Sequence, residues 1–206
     1  DIPSDEEIIK LAGSFLEEHN ISTASYGAPK IQDYWKQEYL RAEDKTQVYI
    51  PDVVSVVYPQ LLNGQTVYDQ SGNETGLMVS VNVRVKKGSG ISELTSLKYQ
   101  SSLYPAVSDV KKILEIASRG GMYQYYPFYE GSTTKELELG TPKVALIKHW
   151  QYKDNQNVEL LVPALVFPIL NPPTDQYFYQ KNVVVPLISE ILDEQGPYPM
   201  PLMENA

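Results

Sequence analysis

Apolar and polar positions alternate most regularly between Val53 and Lys86. Leu77, Val79, Val81, Val83 and Val85 alternate with Met78, Ser80, Asn82, Arg84 and Lys86. A period of two puts the aliphatic groups on one face of a strand and mostly polar groups on the other. Upstream, Val48 to Leu62 reads as another strand, and Asn63-Gly64 follows it. Asn-Gly between apolar runs signals a type I′ hairpin, because both central residues need positive φ. The stretch therefore predicts one antiparallel sheet with a buried face formed by Leu77, Val79, Val81, Val83 and Val85. Asp69 to Asn73 reads as a hairpin turn. It is not a calcium loop, since Gly72 stands fourth where an EF-hand needs its glycine sixth, and the twelfth position is Ser80.

The period changes to that of a helix near the N-terminus. Ser4-Asp5-Glu6-Glu7 is a capping box, and Ile8, Leu11, Ala12, Phe15 and Leu16 follow at helical spacing. This predicts a helix over about 5–19, with His19 at its end, where the macrodipole favours a cation. A second helix is predicted over 106–119 from Val110, Ile113, Leu114 and Ala117, stopped by Gly120-Gly121. Gly88-Ser89-Gly90 reads as a turn. Residues 139–150 and 158–170 read as strands around an Asp154–Asn157 turn, and 183–188 as a short strand or a strand-to-helix passage. Tyr34-Trp35-Lys36-Gln37-Glu38-Tyr39 is an aromatic, polar run with no assigned element.

The two halves share an order. Gly27-Ala28-Pro29-Lys30-Ile31 parallels Gly140-Thr141-Pro142-Lys143-Val144. Ile50-Pro51 leading to Val57-Tyr58-Pro59 parallels Val162-Pro163 leading to Val166-Phe167-Pro168. Pro29 to Pro59 spans 30 residues and Pro142 to Pro168 spans 26. One amphipathic helix precedes each half, and a helix lying on a sheet buries the alternating aliphatics. The expected fold is α+β, with two helix-plus-antiparallel-sheet units. The expected division is 1–100, 101–195 and a Pro-rich tail over 196–206. A helix followed by strands, with Asn63 to Tyr68 leading to Leu77 through Arg84, resembles PepSY-type and cystatin-like modules. Tandem versions occur in the YycH/YycI family of extracytoplasmic accessory proteins of sensor kinases. That resemblance implies a non-catalytic binding or regulatory domain outside the cytoplasm, and it transfers no site residue. The second half lacks the Asn-Gly hairpin, a departure from clean duplication.

Charge and chemistry narrow the function. The 206 residues carry 17 Lys+Arg against 26 Asp+Glu, a formal net charge of −9. With no basic block, nucleic acid and anionic membrane surfaces are unfavourable partners. There is no cysteine, so disulfides and thiolate chemistry are excluded. The chain begins at Asp1, which is compatible with a removed leader or with a membrane tether outside this segment. His19 and His149 have no H-x-x-x-H spacing, no G-x-S-x-G occurs, and no Gly-rich phosphate loop is present. No catalytic residue, metal site or cofactor is assigned. The 16 tyrosines suggest contact surfaces, since the ring packs while the hydroxyl stays wet. Tyr123, Tyr125, Tyr126 and Tyr129, with Tyr177 and Tyr179, are the candidate binding residues for a protein or peptide partner. The alternatives are a carboxylate-dependent hydrolase, which needs two convergent acids, and a structural cell-surface assembly domain. Packing between the halves is the plainer role for these rings.

Overall fold

The computed structural model describes residues 3–32, 34–49, 51–94, 98–122, 136–173 and 180–194. Its elements are α1 (Asp5–Glu18), β1 (Lys30–Ile31), α2 (Tyr34–Arg41), β2 (Val53–Pro59), β3 (Leu61–Leu62), β4 (Gln65–Tyr68), β5 (Gly76–Asn82), β6 (Lys87–Ser92), α3 (Val110–Ser118), β7 (Lys143–Lys153), β8 (Gln156–Pro168), β9 (Asn182–Pro186) and α4 (Ser189–Glu194). The class is α+β. Two sheets run in the orders β1-β2-β5-β6 and β3-β4-β7-β8-β9.

Helix α1 begins where the capping box places it. Ser4 Oγ accepts from the Glu7 N–H, and the Glu7 carboxylate accepts from the Ser4 N–H. Ile8, Ala12 and Leu16, four apart, are fully buried. They close one core with Val54, Val56, Tyr58, Leu77, Val79, Val81 and Val83. The predicted register of β5 therefore stands, except at its end. Asn82 Oδ1 accepts from the N–H groups of Arg84 and Val85, both at 3.1 Å. This side-chain turn ends the strand at Asn82, and Val85 is 65% exposed instead of buried. Gly88 to Gly90, expected as a turn, lies inside β6. A Cβ on Gly88 would meet Phe15 Cγ at 2.2 Å, so glycine here lets α1 lie close to the sheet. The unassigned aromatic run forms α2, and Trp35 packs against this first core.

The predicted single sheet over 53–86 divides in two. Asn63 (φ 51°) and Gly64 (φ 77°) make the turn the sequence calls for. The hairpin it closes, β3–β4, belongs to the other sheet. Strand β4 pairs with β7 in parallel, Val67 opposite Leu146, so the second sheet is mixed instead of purely antiparallel. Around β9 that sheet is buried on both faces. Tyr68, Ala145, Ile147, Val162, Ala164, Val166 and Val184 fill one cluster. Phe167, Ile169, Val183 and Val185 fill another with Ile113 and Ala117 of α3 and Leu192 of α4. Helix α3 starts at Val110, later than expected, because Asp109 Oδ1 caps it by accepting from Lys111 and Lys112 N–H groups.

Several hydrogen bonds recur at matching places in the two halves. Gly27 N–H donates to Pro59 O at 2.7 Å, and Gly140 N–H to Pro168 O at 2.8 Å. Lys30 pairs with Val57, and Lys143 with Val166. Gln60 N–H donates to Thr75 O at 2.7 Å, and Ile169 N–H to Lys181 O at 3.0 Å. The N-caps Ser4 and Asp109 each stand four residues before a buried isoleucine, Ile8 or Ile113, with a buried alanine four further on. The pairing of Pro51 with Pro163 does not hold. Pro51 precedes β2, whereas Pro163 lies within β8 opposite Leu146.

Candidate functional site: a lysine-lined cleft and an aromatic ribbon

The six tyrosines singled out in the sequence, Tyr123, Tyr125, Tyr126, Tyr129, Tyr177 and Tyr179, lie outside the described residues. Two other features of the described chain have functional geometry.

The first is a cleft of about 360 Å³ where the two sheets meet. Strand β1 contributes Lys30, Ile31 and Gln32 beside it, β4 contributes Tyr68, and the turn after β4 contributes Gly72, Asn73 and Glu74. Lys143 opens β7, and Lys181 and Asn182 stand at the start of β9. The turn is built locally. Asp69 Oδ1 accepts from Asn73 N–H at 2.8 Å, and Gly72 takes φ 81°. It is then tied to the second sheet, since Asn182 Nδ2 donates to Gly72 O at 2.8 Å. A Cβ on Gly72 would sit 2.6 Å from Asn182 O.

Within the cleft, Lys30 Nζ lies 2.6 Å from Glu74 Oε2, and Tyr68 Oη donates to Glu74 Oε1 at 3.2 Å. Lys143 Nζ sits 5.0 Å from the centre of the Tyr68 ring, in reach of a cation–π attraction. Tyr68 is only 1% exposed. Burial first, and then the Glu74 carboxylate, push its phenol up to about 12. The phenol thus holds its proton at neutral pH and serves as a donor, not a base. Glu74 is the one acid lining the cleft among the described residues. The pair of carboxylates that glycoside hydrolysis needs is not assembled there.

The second feature is the β7–β8 ribbon. Asp154 (φ 50°) and Asn155 (φ 65°) form the two-residue turn at its tip. Its strands pair continuously from Lys143↔Val166 to Lys153↔Gln156. Strand β4 pairs with β7 only at Leu146 and Ile147, and β9 pairs with β8 only from Ala164 onward. Among the described residues the outer part of the ribbon therefore has no strand on either edge. Trp150 and Tyr152, two apart and so on one face, are 57% and 68% exposed there. At its base Gln70 Nε2 and His149 Nδ1 are 3.3 Å apart, which gives His149 a structural partner. Tyr99 Oη accepts from Gln60 Nε2, between β2 and β3, at 3.0 Å and donates to Glu159 of β8 at 3.3 Å. Burial raises the Tyr99 phenol most, with Glu159 adding to the rise and the Gln60 bond opposing it.

His19 Nδ1 is 2.8 Å from Phe15 O and closes α1 as expected of a helix end. Among the described residues no group of three His, Asp or Glu could hold a metal ion. No described helix is long and apolar enough to cross a membrane. No family model, curated protein or solved structure matches the chain. Sequence reasoning missed both features. The ribbon carries a signal, Trp150 and Tyr152 on one face of an alternating strand, which reads equally well as core. The cleft carries one only in the recurrence of Lys after G-x-P.

Proposed function

We propose that this chain is a non-catalytic binding module, made of two helix-plus-sheet units of PepSY-like or cystatin-like pattern, that holds a protein or peptide partner on an aromatic sheet surface. The observation that carries this reading is the β7–β8 ribbon, with Trp150 and Tyr152 exposed beside strand edges that no described strand pairs. Rings held by a sheet lose little side-chain entropy on contact and make effective anchors. An open edge can accept an extended segment by strand addition. A regulatory domain outside the cytoplasm is the role that the family resemblance implies for such a module. Tyr123, Tyr125, Tyr126, Tyr129, Tyr177 and Tyr179 are further contacts under the same reading.

The test compares the wild-type chain with a Trp150→Ala/Tyr152→Ala variant, each immobilised and exposed to extract of the native host. The wild type is expected to retain a discrete protein that the variant loses. Equal retention would remove the ribbon from the interface. Turnover of a hydrolase substrate by the wild type, abolished by Glu74→Gln, would replace the binding reading with an enzymatic one.

A further inference from the structure

We propose that the cleft between the two sheets is a binding site for a small oxyanion, the phosphate or carboxylate group of a low-molecular-weight dianion, contacted by Lys30 and Lys143. This site is separate from the aromatic ribbon and does not rest on the partner proposed for it.

The G-x-P-K motif is the starting point. Its backbone has the same task in both halves, with Gly27 and Gly140 donating to Pro59 and Pro168. The lysine has no matching packing task, since Lys30 and Lys143 are both exposed. Yet the two lysines, 113 positions apart in the chain, line one cleft and reach one pair of groups. Lys30 meets Glu74, and Lys143 meets the face of Tyr68, which itself donates to Glu74. Among the described residues Lys30 and Lys143 share one carboxylate here, Glu74, in a chain whose formal net charge is −9. Gathering like charges in one concave space is unfavourable unless a counter-charge joins them. Glu74 supplies only part of that charge.

The contacts already present are ones an incoming anion can redirect. The lysine end of the Lys30–Glu74 pair is open to solvent, 59% exposed against 20% for Glu74, so Lys30 can swing to a ligand while the carboxylate stays in place. A cation–π contact at an exposed lysine is a weak one. Among the described residues Gln32 Nε2 meets the sulfur of Met78 at 3.8 Å, a poor acceptor, and can turn to a ligand oxygen. Lysine is a compact point charge without arginine's planar fork, which suits an oxyanion approached from several directions. A volume of about 360 Å³ lies within the range of small-molecule sites. Glu74 then acts as a built-in competitor that holds Lys30 in place while the site is empty of anion.

The experiment is isothermal titration of the full chain at low salt with two probes, inorganic phosphate and succinate. Saturable binding of at least one probe is expected, weakening as salt rises. Lys143→Ala should weaken it about tenfold or more, the worth of one charge-assisted contact. Glu74→Gln should tighten binding several-fold, because it releases Lys30 and removes a negative charge. Lys111→Ala, on α3 and outside the cleft, should leave affinity unchanged. Phosphate alone binding would identify a phosphate ligand, and succinate alone a carboxylate ligand. No saturable heat from either probe would overturn the proposal. So would binding that survives Lys143→Ala, or one that Lys111→Ala weakens equally. Lys143→Gln keeps the side-chain stem and replaces the alanine variant if thermal melting shows that β7 is disturbed.

Discussion

The two sheets bury themselves differently. The first uses one face, with Leu77, Val79 and Val81 under α1, while Met78, Ser80 and Asn82 on the other face are only half-buried. The second is covered on both around β9, where Val183, Val184 and Val185 are all at most 1% exposed. An edge sheet with one wet face announces itself by alternation, and a doubly covered sheet shows only a continuous apolar run. The second sheet reaches this state by taking β3–β4 from the first half of the chain, which brings Tyr68 into its core. Around that difference, the hydrogen bonds of Gly27 and Gly140 and the caps Ser4 and Asp109 match.

The strongest way to break the match is to charge the same place in each half. Val79 and Val185 are both completely buried, under α1 and in the α3 cluster respectively. Val79→Asp and Val185→Asp should each destabilise the chain by about 3 kcal/mol or more, read by denaturant unfolding. Tolerance at one site alone would mean that the two sheets do not depend equally on their buried valines.

The turn that links the sheets gives a second comparison. Gly64 and Gly72 both have positive φ, but an added Cβ at Gly64 meets nothing within 4 Å, while at Gly72 it strikes Asn182. Gly64→Ala should cost about 1–2 kcal/mol, the left-handed penalty alone. Gly72→Ala should cost measurably more and should also perturb the cleft. Equal costs at the two glycines would mean that the turn is not held against β9.

Smaller effects test the helices. Ser4→Ala and Asp109→Ala should each cost about 1 kcal/mol, within about 0.5 of one another, if the two caps do the same work. Thermal melts of the two variants decide this. A cap without effect in one half would mean that its helix is held by packing alone.

Tyr68 sharpens the comparison through pH. Its native pKa is raised to about 12 from an ordinary 10, so the fold favours the protonated phenol. The stability this contributes is complete below pH 10 and is lost as pH rises through about 12. Unfolding measured across that alkaline window should show a smaller decline in Tyr68→Phe than in the wild type. An identical decline would place the alkaline sensitivity elsewhere.

Local signals were legible in the sequence wherever one side chain acts on its own neighbours. The capping box at Ser4, the Asn-Gly turn and the alternation from Leu77 to Val83 all have that character. Asn82 also ends its strand by a local bond, and the period-two pattern masked it because Val83 and Val85 continue the alternation. The exposed ribbon was less legible, since Trp150 and Tyr152 on an alternating strand look the same whether a neighbour covers them or not.

By itself the sequence determined the class, the start of α1, the Asn63-Gly64 turn and the buried face of β5 up to Val83, because each rests on residues within one or two turns of chain. Only the tertiary structure decided that β3–β4 leaves its own half to join β7 in parallel. It likewise decided that Lys30 and Lys143 share a cleft with Tyr68 and Glu74. Strand partners and convergent side chains depend on which distant surfaces bury best against each other, and no local period encodes that choice.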